Sequence, residues 1–590
     1  MLMKKLFYIF AAVAVTMWAC QKPNVPEQKD NQKPGGEEQK PGDDEKPDAK
    51  DELTLISDAV VNLNYDSEII TVKFTSGAAW TAEADEFIAL KDKSGDAGEN
   101  IELKATVQSL DPEESVGRVG NISIKAGGKE IVVGVMQGKV FFFTPQEATV
   151  DVKGGKVEFQ VITNQEYEFK TYDAADAAFP WAPVTYDKAT GKGSLDVAAN
   201  GDYDARYAYI KFTVPGIQVP AYDDEGNPTG ETKDYVTRFY VYQDGNAKVE
   251  WAVSLKEPFS ATSIETDVEI HDATASVALF DGKLLVSDSY TVFAFDPATG
   301  ASTSISVPED LPVQSITNDD AGNLLLATLI PYLGVGSVYA VKATDTQMAN
   351  PVRLIPWVNE AWSGSHGADK VAAKGDVFGN GVVTMMYGGV GSLGGFSYCL
   401  AWEIKDGAAD VFDYNEWNKS SHRINDDAWF KTPELGDDLW LSNRAVFVPA
   451  GPSVSDGFFY AGYDGLYNLY YYNGSEWNAI VEGVGDWDGS IMGMGSTEWN
   501  GKKILAGARL GYTFEWGPMP SSLWIIDVTD VNNPVVLSQS EFVGLDDQAI
   551  TGWNNDSTTD VILKVEGNNL VAYLVDTSHG ILMKKSYPKL

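Results

Sequence analysis

Asn500-Gly501-Lys502-Lys503-Ile504-Leu505-Ala506-Gly507 is a polar turn running into an apolar strand, and a second apolar segment, Leu523-Trp524-Ile525-Ile526, follows it. Glycine accepts the positive φ that a tight hairpin demands, so Asn-Gly between such segments signals a turn. Working outward, the kernel recurs six times, at Asp281-Gly282, Ala321-Gly322, Asn380-Gly381, Asp456-Gly457, Asn500-Gly501 and Glu566-Gly567. The second strands are alike too: Val292-Phe293-Ala294-Phe295, Val338-Tyr339-Ala340-Val341, Cys399-Leu400-Ala401-Trp402, Leu469-Tyr470-Tyr471-Tyr472, Leu523-Trp524-Ile525-Ile526 and Ile581-Leu582-Met583. Successive glycines are 40, 59, 76, 44 and 66 residues apart, so a fixed kernel carries insertions of varying length. A four-stranded propeller blade takes about 40 to 50 residues, and the excess falls in loops. Residues 248–590 are therefore expected to form a β-propeller of six blades, or seven if the 76-residue gap holds another. The chain stops soon after the last second strand, which leaves the final blade one strand short, and residues 249–255 are placed to supply it.

Before residue 248 the pattern is short alternation, as in Ile69-Ile70-Thr71-Val72-Lys73-Phe74 and Ile131-Val132-Val133-Gly134-Val135, which reads as strands; sustained helical periodicity is almost absent. One order of residues appears twice. Trp80, Phe87-Ile88, Arg118 and Gln137-Gly138 are followed by Phe159, Tyr167, Trp181, Arg206 before Tyr209-Ile210, and Val241-Tyr242-Gln243. This order resembles the BACON domain, a β-sandwich common in lipoproteins and enzymes of Bacteroidetes polysaccharide-utilisation systems. The resemblance implies two Ig-like sandwiches, at 53–139 and 140–247, the second widened by an insertion between Pro215 and Lys233. Many members of that family look like spacers, so the resemblance does not itself imply a sugar site. Trp80 and Trp181 are expected in the core.

The first residues add an anchor. Met1 to Lys5 carry two positive charges, an apolar stretch follows, and Met17-Trp18-Ala19-Cys20 closes it. Residues 1–20 read as a lipoprotein signal peptide with Cys20 as the lipid-bearing residue, the alternative being a plain cleaved secretion signal. Residues 21–52 hold five prolines, six lysines and ten acids, too little apolar surface to order a fold, and read as a disordered tether. The signal implies a lipid anchor, and the family resemblance implies an outer-membrane location exposed at the cell surface. Cys399 is left as a lone thiol expected in the core.

Charge narrows the partners. With 44 Lys+Arg against 85 Asp+Glu the formal net charge is −41, which excludes nucleic acid and favours an uncharged glycan over an acidic one. The long insertions, 332–336, 357–369, 388–395, 415–443, 484–490, 508–521 and 543–559, fall on one face of the expected propeller. They contain Trp362, Trp417, Trp429, Trp487, Trp516 and Trp553, together with Tyr512 and His366. These eight are the expected ligand-binding residues, since indole and phenol faces stack on the C–H faces of sugars. Asp369, Arg423, Asp486, Asp488 and Arg509 are polar candidates beside them.

The expected function is non-catalytic capture of a polysaccharide or oligosaccharide for uptake, in company with an outer-membrane transporter. No cofactor or metal is expected: His271, His366, His422 and His579 are scattered, and there is no HExxH motif. A propeller glycoside hydrolase or polysaccharide lyase is the alternative, for which Asp426-Asp427, Asp437-Asp438 and the Asp486/Asp488 pair offer carboxylates. A protein-binding adhesin or accessory transporter subunit is the second alternative.

Overall fold

A computed structural model describes residues 52–111, 117–173, 180–223, 228–255, 275–288, 291–328, 335–358, 366–389, 398–409, 429–431, 438–440, 445–462, 468–485, 489–511, 513–514, 517–518, 520–542, 559–577 and 579–590. The fold is all-β. Among the described residues the only helical element is a 3-10 turn at Val454–Asp456, and no helix is long and apolar enough to cross a membrane. The chain divides into two compact units, one of residues up to Asn200 with Arg206–Asp244, the other of Gly201–Ala205 with Gly245–Leu590.

The N-terminal unit contains two β-sandwiches. The first runs β1 (Leu53–Leu55), β2 (Val60–Leu63), β3 (Glu68–Ser76), β4 (Trp80–Ala84), β5 (Ile88–Leu90), β6 (Ser94–Gly95), β7 (Gly98–Val107), β8 (Arg118–Ala126) and β9 (Lys129–Gln137). Its sheets are β1-β3-β7-β5 and β2-β9-β8-β4-β6, with β2 parallel to β9. The second runs β10 (Phe141–Thr144), β11 (Glu147–Val150), β12 (Gly155–Thr163), β13 (Glu168–Asp173), β14 (Val184–Asp187), β15 (Lys192–Val197), β16 (Arg206–Tyr222) and β17 (Pro228–Gln243). Its sheets, β10-β12-β15-β14 and β11-β17-β16-β13, repeat the first strand for strand apart from β6, down to the parallel β11-β17 pair. This is the two-sheet arrangement of immunoglobulin-like domains. Alternation explains each core: Val72 and Phe74 from one sheet meet Ile122, Ile124, Val133 and Val135 from the other, all fully buried. Trp80 is buried against Phe74 edge to face.

The twice-repeated order of residues builds the same clasp twice. Arg118 Nε donates to Gln137 Oε1 at 2.9 Å, and its guanidinium lies 4.2 Å from the Phe87 ring centre. Arg206 Nε donates to Gln243 Oε1 at 2.8 Å, and its guanidinium lies 4.2 Å from Trp181. The glutamine amides are 0% and 1% exposed. Gln137 Nε2 donates to the carbonyl of Gln108, and Gln243 Nε2 to that of Ala198, so each amide pins a loop to the last strand. Trp181 is thus half-buried beneath an arginine.

Among the described residues the C-terminal unit contains six four-stranded antiparallel sheets. The first five are, in order, Ser276–Phe280, Lys283–Ser287, Val292–Phe295 and Ser302–Thr303; Ser315–Asn318, Leu324–Ala327, Val335–Val341 and Val352–Val358; His366–Gly375, Gly381–Gly389, Tyr398–Lys405 and Ala408–Ala409; Ala445–Pro449, Phe458–Gly462, Leu469–Tyr472 and Trp477–Val481; and Ile491–Trp499, Lys502–Arg509, Ser521–Asp527 and Val535–Phe542. The sixth is Thr559–Glu566, Asn569–Asp576 and Ile581–Tyr587, and its fourth strand is Lys248–Ser254, paired antiparallel from Lys248↔Ser586 to Ser254↔Ile581. First strands neighbour one another in chain order, and that of the sixth sheet also neighbours the first. Side chains and backbone amides bolt them together. Ile316 N donates to Ser276 Oγ (2.9 Å), Val371 N to Ser315 Oγ (3.1 Å) and Val277 N to Asp560 Oδ2 (2.9 Å).

The glycine turns differ in detail from one another. Asp281-Gly282 and Asn500-Gly501 are two-residue loops with φ of 50° and 69°, and 54° and 75°, the primed turns that suit strand twist. In the sixth sheet the loop is Gly567-Asn568, one residue on from the pair read in the sequence, because Glu566 still pairs with Asn569. The other three connections are longer, since Asn318 pairs with Leu324, Gly375 with Gly381 and Pro449 with Phe458. Trp402, Trp524 and Cys399 are buried, and burial raises the Cys399 thiol well above its ordinary pKa.

Candidate functional site

The six first strands converge on a cavity of about 560 Å³, to which all six sheets contribute, from Leu279 in the first to Asp560 and Lys564 in the sixth. Two lysines of the third sheet reach across it. Lys370 and Lys374 are 6% exposed and half-buried, on one strand, His366–Gly375. Lys370 Nζ donates to Met492 O (2.8 Å) and to Thr559 O, and lies 3.8 Å from Asp560 Oδ1. Lys374 Nζ donates to Asp320 Oδ1 (2.7 Å) and Ser496 O (2.8 Å). Each ammonium thus joins its own sheet to two others. The signal was legible in principle: a lysine pair four residues apart around a small, apolar segment, Lys370-Val371-Ala372-Ala373-Lys374.

The electrostatics are those of a structural bolt. Burial raises the Asp560 carboxyl above its usual pKa despite the opposing pull of Lys370 and of the backbone amides of Val277 and Val561. Asp319, raised likewise by burial, accepts from Val377 N (2.9 Å) and Asn323 Nδ2 (2.8 Å). A lysine nucleophile must present a neutral, accessible amine. Lys370 instead spends its donors on carbonyl and carboxylate oxygens. Close approach of the strands is enforced at Gly493 and Gly495, where a Cβ would lie 2.4 Å from Asp560 Cα and 2.5 Å from Val561 O.

One further cluster has the composition of a hydrolase. Ser521, His579 and Asp576 are all buried, with Ser521 Oγ 3.1 Å and Asp576 Oδ2 3.0 Å from His579 Nδ1. Both partners meet the same ring nitrogen. In a catalytic triad the acid holds Nδ1 while the nucleophile faces Nε2, so this arrangement provides no proton relay. Ser521 also accepts from Gly511 N at 2.9 Å, and the cluster ties the fifth sheet to the sixth. No group of three or more His, Cys, Asp or Glu that could hold a metal ion occurs among the described residues.

Of the expected ligand-binding residues, Trp362, Trp417, Trp487, Tyr512, Trp516 and Trp553 lie outside the described residues, as do Cys20, Arg423, Asp486 and Asp488. His366 opens the first strand of the third sheet, in register with Gly389, and Asp369 is on the same strand. Trp429 opens a two-stranded ribbon in which it pairs with Trp440. Arg509 ends the second strand of the fifth sheet.

The chain matches no protein-family model and no curated protein. Among solved structures it is similar to a Bacteroides ovatus xyloglucanase in complex with a heptasaccharide, at 15% identity over 18% of this chain and 22% of that one, with a TM-score of 0.14. It is similar to a chimeric titin Z1Z2 tandem at 9% identity over 32% of this chain and 98% of that one, TM-score 0.14. Human protocadherin-24 EC1-2 gives 10% identity over 32% and 97%, TM-score 0.12.

Proposed function

We propose that the chain is a non-catalytic, lipid-anchored glycan-binding protein of the cell surface, in which two BACON-like sandwiches carry a six-bladed β-propeller. Its insertion end captures an uncharged polysaccharide or oligosaccharide for uptake beside an outer-membrane transporter. One topological observation carries the reading. In an antiparallel four-stranded meander, the connections from strand two to three and from strand four onward leave at the same end. Trp362 falls between Val358 and His366, Trp417 and Trp429 between Ala409 and Ala445, and Trp487 between Val481 and Ile491. Tyr512 and Trp516 fall between Arg509 and Ser521, and Trp553 between Phe542 and Thr559. Every one of these connections is of that kind, which supports assigning their aromatic residues to a single end of the sheets.

The cyclic order of first strands and the fourth strand supplied by Lys248–Ser254 support the propeller. The engagement of Lys370, Lys374 and Asp560 within the protein supports binding rather than catalysis. Several aromatic platforms acting together give useful affinity where one gives little. Affinity electrophoresis of the mature chain against neutral polysaccharides is expected to show retardation without release of reducing ends. The triple variant Trp362→Ala/Trp429→Ala/Trp516→Ala is expected to abolish that retardation. Mobility unchanged by every polysaccharide, or retained by the triple variant, counts against the proposal.

A further inference from the structure

The outer face of the β11-β17-β16-β13 sheet carries a patterned surface that the C-terminal reading does not use. Register aligns Tyr172, Tyr209 and Tyr240 in one row across three strands, Tyr207 and Tyr242 in the next, and Lys170, Lys211 and Arg238 in the row on the other side. The rings form a continuous packed patch in which Tyr209 is itself buried, at 7% exposed, and its neighbours present the accessible faces. Tyr172 stacks on Tyr209 (5.4 Å, 26°), Tyr209 packs against Tyr240 (5.6 Å), and Tyr240 stacks on Tyr242 (5.8 Å, 16°). Tyr207 and Tyr242 are each 39% exposed, and the Arg238 guanidinium lies 5.3 Å from the Tyr209 ring centre.

We infer that this face is a second glycan-contact surface, selective for sugar chains that bear carboxylate or sulfate groups. Like charges directly opposite one another on a sheet are unfavourable. Three cations in one row therefore call for an anion, and among the described residues none of the three forms an ion pair. The first sandwich is an internal control. Counted from the shared clasp residues, its corresponding positions are Glu83, Ser123 and Val132 in place of the cations, Asn121 and Gly134 in place of Tyr209 and Tyr240, and Val119 and Met136 in place of Tyr207 and Tyr242. The fold does not need tyrosines or cations there.

The pairing of chemistries selects the ligand. A ring face beside an anion on the same unit describes an acidic sugar, whereas an acidic polypeptide has the charge without the ring. A single nucleic acid strand carries a phosphate on every nucleotide, so covering two tyrosine rows would press several phosphates onto a protein of net charge −41. A sparser anion needs only the one row. Screening beyond about 8 Å at physiological salt weakens the repulsion from distant carboxylates, and what remains falls with the number of anions the ligand carries.

The test uses the full mature chain in affinity electrophoresis against polygalacturonate and chondroitin sulfate, which separate carboxylate from sulfate recognition. Single-stranded DNA and poly-glutamate serve as anionic controls. Retardation by at least one acidic glycan, weakening as salt rises, is expected. The variants Lys211→Ser/Arg238→Val and Tyr207→Val/Tyr242→Met install the first sandwich's residues, and each is expected to weaken binding by about tenfold. Thermal unfolding checks that both remain folded. Binding to neither acidic glycan, binding unchanged in both variants, or equally tight binding of poly-glutamate or DNA overturns the inference. Neutral polysaccharides run in the same gels report the insertion end, whose retardation these substitutions leave unchanged, so the two proposals fail separately.

Discussion

Behind their outer faces the two sandwiches repeat the same three-part clasp: Phe87, Arg118 and Gln137 in one, Trp181, Arg206 and Gln243 in the other. On those faces they share nothing, since Ser123 opposite Val132 corresponds to Lys211 opposite Arg238. The difference teaches where divergence is costly. A buried amide that pairs an arginine and ties several carbonyls to the last strand cannot be changed without leaving the arginine Nε unpaired, whereas a solvent-facing position changes within a few tenths of a kcal/mol. Conserved interior and rewritten exterior are what two copies of one scaffold under different surface demands should show.

The comparison is most easily broken at the clasp. Gln137→Ala takes the acceptor from Arg118 Nε and the donor from Asp66 O, while Gln108 O and Tyr65 O keep Arg118 Nη2 and Leu110 N; Gln243→Ala takes the acceptor from Arg206 Nε, while the carbonyls of Ala198, Asp151 and Val152 keep Arg206 Nη2, Gly154 N and Asn200 N. Each is expected to cost about 2–4 kcal/mol, given about 1–3 kcal/mol for a buried group left unpaired. Denaturant unfolding of the full chain reads the loss. If only one substitution is costly, the clasps are not equivalent and the strand-for-strand correspondence loses its energetic meaning.

A smaller effect is expected where the clasps differ. A Cβ on Gly120 would lie 2.5 Å from the Phe87 ring, whereas the corresponding residue of the second sandwich is already Ala208, beneath a different aromatic. Gly120→Ala is expected to destabilise by about 1–3 kcal/mol through overpacking. Restoration by Phe87→Leu in the same background would tie the cost to that ring, and failure of the rescue would place the strain elsewhere.

Much of this was legible in the sequence because it rests on period-two alternation and on turn residues. The alternating run at Ile69 to Phe74 is a strand, and the Asp-Gly and Asn-Gly pairs mark hairpins. The strand preceding each turn was harder to read. Ser276–Phe280 is buried at every position but Leu279, so it shows no alternation, and a short apolar run carries no direction. The lysines of the central cavity and the tyrosine rows were hidden for a different reason. Lys370 finds Met492 and Thr559 only after 122 and 189 residues of intervening chain, and Tyr172 reaches Tyr209 and Tyr240 only through strand register. The tryptophan-rich insertions of the C-terminal half are visible as composition, while a surface pattern built from three separated strands is not.

The smallest expected effect bears most directly on the outer faces. If Lys211 and Arg238 stand opposite one another for the sake of a ligand, they should repel in its absence. A double-mutant cycle with Lys211→Ser and Arg238→Val isolates that pair from changes in strand propensity. The coupling is expected to be unfavourable by about 0.2–1 kcal/mol, the range for opposed side chains on a sheet, and to grow as salt is lowered. An acidic glycan at saturating concentration should reverse its sign, because the anion then bridges the two cations and removing either leaves the other's contact poorer. A favourable coupling without ligand would mean that the cations are held by the protein itself. The second sandwich's face would then differ from the first's by structural repacking alone.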